Sequence, residues 1–100
     1  MNENPLYLKL LGETAQITWP ELEPFFARGA LMSVEPTEDL VAIALAIAEN
    51  RAGDVEAWLG RGSLRKMDVD TARQLSEGGQ ALWAVVVAPW VLVQARQEQA

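Results

Sequence analysis

The chain has 100 residues, half of them apolar, with 14 Asp and Glu against 8 Lys and Arg and with neither His nor Cys. A chain of this length buries roughly two thirds of the surface it exposes when unfolded, enough for one modest core and no second domain. Without imidazole or thiol there is no Ser-His-Asp or Cys-His arrangement and no ligand set for zinc, copper or iron–sulfur centres, so no cofactor is expected and only hard-metal or carboxylate chemistry is left.

At the start, Met1-Asn2-Glu3-Asn4-Pro5 has no basic stretch leading into an apolar one, so no secretory signal is expected and the protein is taken as cytoplasmic, which the lack of cysteine suits. Asn4 before Pro5 sets an N-cap ahead of a proline at the first helical position. Leu6, Tyr7, Leu8, Leu10 and Leu11 then predict a helix over about 5–15. Thr18-Trp19-Pro20-Glu21 starts a second helix, with Leu22, Phe25 and Phe26 at helical spacing and Gly29 placed to end it. Pro24 fits that helix only within its first turn. Ala30-Leu31-Met32-Ser33-Val34 is too short for a helix and reads as a buried strand.

Thr37, Glu38 and Asp39 cap the clearest helix of the chain, which runs to about Asn50. Its apolar residues span roughly 200° of the helical wheel, wider than the ~100° stripe of a surface helix, so it must touch partners on more than one side. Asp54 is expected to cap a brief helix in which Val55, Trp58 and Leu59 share the inner face, with Gly60 and Gly62 closing it. Ser63-Leu64-Arg65-Lys66-Met67 carries a weak strand signal, which makes the preceding pair of helices a hairpin between two strands. Asp68 to Ser76 reads as another short helix ended by Gly78-Gly79.

Leu82 to Ala88 and Trp90 to Val93 are strongly β-prone and are separated by Pro89, so they form two strands or one bent strand. With Pro89 inside, the apolar run falls short of the ~18 residues of a membrane-spanning helix, and it is assigned to the core. The tail from Gln94 is polar and is expected to fray or to finish a helix. The sum is a single α+β domain over residues 1–100, a three- to four-stranded sheet covered by short helices.

Three stretches, Leu82 to Gln94, Phe26-Ala27-Arg28-Gly29-Ala30-Leu31 and Asp39-Leu40-Val41, resemble a family of small uncharacterised bacterial proteins, domain of unknown function family 2288. The likeness covers Leu6 to about Gln94. It implies a compact bacterial domain and brings no catalytic residue, metal ligand or cofactor.

Glu35, Glu38 and Asp39 gather oxygens of the kind Mg²⁺ or Ca²⁺ takes, yet acids at a helix start are favoured by capping and by the helix dipole alone. Asp68 and Asp70 read the same way, and their loop lacks the spacing of a calcium hand. Arg61, Arg65, Lys66 and Arg73 are the basic concentration, with Asp68 and Asp70 beside them; on a strand, Arg65 and Lys66 point to opposite faces and form no single anion clamp. Gly60 and Gly62 lack the third glycine of a dinucleotide loop. The charge is uneven: residues 1–50 carry eight acids against Lys9 and Arg28 and residues 51–100 are neutral, which disfavours nucleic acid as a partner.

Four tryptophans are many for so small a core, and Trp is enriched in interface anchors. Trp58 is assigned to the core. Trp19 beside Pro20, and Trp90 after Pro89, occupy element ends where a ring is often half exposed, and each is a candidate for an interface or groove. Tyr7 is expected to pack with its hydroxyl at the surface. Two readings follow. In the preferred one the chain is a small acidic, non-catalytic interaction or accessory domain with an exposed surface around Trp19 or Trp90 and no cleft of converging polar groups. In the alternative it binds a small ligand or works as a carboxylate enzyme, with Glu35 or Asp39 as base and Arg65 as anion holder. The apolar helix and the 82–93 segment also call for more cover than a monomer easily provides, so a homodimer is expected.

Overall fold

The computed structural model describes residues 4–96. Helix α1 (Pro5–Glu13) begins where the Asn4 side chain accepts a hydrogen bond from the Leu6 N–H, and α2 (Trp19–Ala27) begins where the Glu21 carboxylate accepts one from the Thr18 N–H. Helix α3 (Leu40–Ala48) is capped by Asp39, whose Oδ1 accepts from the N–H groups of Val41 and Ala42. Helix α4 (Ala52–Arg61) closes on Gly62 at φ 76°, a left-handed position open to glycine at little cost. Asp68 caps α5 (Val69–Glu77) through the Thr71 N–H.

Five strands, β1 (Ala15–Ile17), β2 (Leu31–Val34), β3 (Leu64–Lys66), β4 (Ala81–Val87) and β5 (Trp90–Arg96), form one sheet in the order β1-β4-β5-β2-β3. All pairs are antiparallel except β2 with β5, where Leu31 lies opposite Val91 and Val34 opposite Gln94. Side chains alternate across the sheet. Met32, Val34, Val85 and Leu92 enter a core with Leu10 of α1 and the buried face of α3, while Leu31, Ala84, Val91 and Val93 enter a second core with Leu22 of α2 and Ala72 of α5. The sheet is thus the middle of three layers, with β5 covered on both faces, which is why its sequence reads as a continuous apolar run.

Gln94 breaks that run and is 2% exposed. Its Nε2 donates to the carbonyls of Glu35 (2.8 Å) and Glu38 (2.7 Å), and its Oε1 accepts from Arg96 Nε at 3.0 Å. Both amide protons are therefore satisfied by the loop that leads from β2 into α3. The Arg96 guanidinium in turn lies 4.9 Å from the centre of the Trp83 ring. No buried side-chain polar atom among the described residues lacks a partner.

The α+β class, the helical hairpin between β2 and β3, and the opposite directions of Arg65 and Lys66 follow the sequence reading. Several details correct it. The sheet has five strands, not three or four, because Ala15-Gln16-Ile17 becomes a strand by pairing with β4 and has no apolar alternation of its own. Gln94 to Arg96 continue β5 and neither fray nor turn helical, since strand pairing with β4 and the buried amide hold them; residues 97–100 lie outside the described part. Pro24 lies inside α2 past the first turn. Helix α4 starts ahead of Asp54, which sits in its first turn and is not the cap. The cover that α3 and the β4–β5 hairpin demand is supplied within one chain, by α1 and α4 beside α3 and by helices on both faces of the sheet.

Replacing Gln94 by Leu keeps the volume but leaves the Glu38 carbonyl without its donor. The variant is expected to lose about 1–3 kcal/mol of stability in urea unfolding, the cost of an unsatisfied buried polar group. A loss within about 0.5 kcal/mol, typical of surface changes, would show that the amide does not hold the loop.

Candidate functional site

Helix α4 has no fully buried residue, yet Ala52, Val55 and Leu59 share one face of it. They form one wall of a groove whose floor is Met32 of β2, Leu64 of β3 and Trp90 at the start of β5, and whose far end is Ile47 and Asn50 where α3 passes into α4. The groove encloses about 310 Å³ and carries no charged side chain in its lining. Leu59 is 46% exposed at its edge. Asn50 holds a left-handed backbone at φ 58°, with its N–H on the Ile47 carbonyl and its own carbonyl accepting from the Ala52 N–H.

Trp19 stands elsewhere, on the α2–α5 side of the sheet, with its ring 5.9 Å from that of Phe26. It borders a cleft of about 350 Å³ that includes Thr18, Ser76 and Gln80. That cleft departs from the expectation that no cleft with polar groups would be found. Arg65 occupies a third place, a hollow of about 140 Å³ shared with Ser33 and Glu35. The three residues singled out in the sequence, Trp19, Trp90 and Arg65, are therefore not brought together. Trp58 is half-buried against the core beside α3.

At the start of α3 the Asp39 carboxylate and the backbone carbonyls of Glu35 and Glu38 are engaged structurally. Asp39 caps the helix with one oxygen and accepts the Tyr7 hydroxyl with the other at 3.1 Å, while Glu35 and Glu38 lend their carbonyls to Gln94. Among the described residues no three acids gather to hold a metal ion, and no helix is long and apolar enough to cross a membrane. At the other end of α3, Glu49 accepts from Asn4 Nδ2 and pairs with Arg51, and these contacts, the Asn4 hydrogen bond first, hold its pKa below the usual carboxylate range. The Thr71 N–H does the same for Asp68. Stability from these two carboxylates is present above the ordinary carboxylate pKa and is lost as pH falls through their lowered values.

Of the groove residues, Val55 and Leu59 were legible as the inner face of α4. Met32, Ile47, Asn50 and Leu64 were not, because they meet only once α4 is folded over β2 and β3; the one local sign was an Asn at a helix end, where left-handed backbone is common.

A family model described as protein of unknown function (DUF2288) matches residues 5–95. The NMR solution structure of PA1075 from Pseudomonas aeruginosa is 53% identical, with a TM-score of 0.84 over 100% of this chain and 94% of that one. No curated protein matches.

Tyr7 is the sole tyrosine, and its phenol can be followed by ultraviolet absorbance without ambiguity. Desolvation first, and then the hydrogen bond to and charge of Asp39, raise its pKa above 10.0. Since the neutral phenol is the favoured form, its contribution to stability is full below the unfolded pKa and is lost as pH rises through the raised value. The titration midpoint is expected above 10.0 and should move partway back in Asp39→Asn, which preserves a good N-cap. A midpoint that ignores the Asn substitution would contradict the contact.

Proposed function

We propose that this chain, which belongs to the DUF2288 family, is a non-catalytic interaction domain of the bacterial cytoplasm that docks a partner protein in the groove beside Trp90. The observation that carries the reading is an open, uncharged, largely apolar groove built on rigid elements, with an anchor-type aromatic in its floor. The alternative, a small-ligand or carboxylate site, has the hollow shared by Glu35 and Arg65 in its favour. That hollow, about 140 Å³, is smaller than the roughly 300–1,000 Å³ of typical ligand pockets, and the cleft beside Trp19, about 350 Å³, is large enough but has no carboxylate or cation in its lining. Both sheet edges, β1 and β3, are three residues long, and β3 carries Arg65 and Lys66, so neither suits pairing with another chain. If the homodimer forms, the groove is the surface we assign to it, with a second copy as the occupant.

Leu59→Glu places a charge at the groove without disturbing a buried contact, and Leu8→Glu on the outer face of α1, where Leu8 is 53% exposed, is its control. Affinity capture from the native cytosol is expected to recover a partner with the unaltered protein and the Leu8 variant. The Leu59 variant should lose it, by about tenfold or more for an interface anchor. Equal recovery by both variants would remove the groove from consideration. Sedimentation separates the occupants: an 11.0 kDa particle leaves the groove for another protein, whereas a particle twice as heavy that dissociates in Leu59→Glu makes it a second copy.

A further inference from the structure

We draw no further inference here: the strongest candidate, the apolar groove between α4, the end of α3 and Trp90, belongs to the site already described, and nothing in the structure shows what covers it.

Discussion

Gln94 donates both protons of its side-chain amide to the carbonyls of Glu35 and Glu38 from inside the sheet, and the layout of the α3 side follows from that contact. It lies opposite Val34, where parallel β2 ends, so the chain leaving β2 is bent back over the sheet as soon as it emerges. Asp39 then caps α3 directly over the core, with Tyr7 of α1 on its second oxygen. The carbonyl of Glu35 also receives the Glu38 N–H, so the loop is closed by its own turn as well as by the strand beneath it. A buried amide with every donor satisfied fixes one arrangement of the loop, since any other would leave polar groups unpaired in a low-dielectric interior.

The same helix has an opposite end with a different character. Launched at a fixed place, α3 runs across β4 and β5 and finishes at Asn50, whose left-handed backbone turns the chain into α4. Helix α4 lies over β3 without a single fully buried residue, and the space left between it, the end of α3 and Trp90 is the groove. One end of the α3 side is therefore locked by hydrogen bonds within the chain and the other presents apolar surface and an amide to solvent. Of the acids that looked like a metal site in sequence, Asp39 uses its carboxylate for the cap and for Tyr7, while Glu35 and Glu38 take part in the locked end through their backbone carbonyls.

Local signals made most elements legible: the Asn4-Pro5 start, the Thr18 and Glu21 pair, the Asp68 cap and the short apolar run of β2. The β character of the β4 and β5 segments was equally readable, but Pro89 left two strands or one bent strand open, and it is the pairing of Ala81–Val87 with Trp90–Arg96 that decides for two. What escaped was set by pairing or by packing between distant segments. Ala15 to Ile17 has no strand pattern and is a strand because β4 is beside it. Gln94 looks like the first residue of a polar tail, and nothing nearby reveals that it faces two carbonyls 56 and 59 residues away in sequence. The apolar breadth of α3 was read correctly as contact on more than one side, but α1 and α4 of the same chain provide that contact. Trp19 and Trp90 were both placed at element ends, and only folding put them on opposite faces of the sheet.

The measurement that bears most directly on this account is hydrogen exchange of side-chain amides by NMR. The Gln94 Nε2 protons should exchange as slowly as the backbone amides of β5, while the Asn50 Nδ2 protons of the same molecule exchange at the rate of an exposed amide. Gln94 exchanging as fast as Asn50 would contradict a locked loop, and with it the division of the α3 side into one closed and one open end.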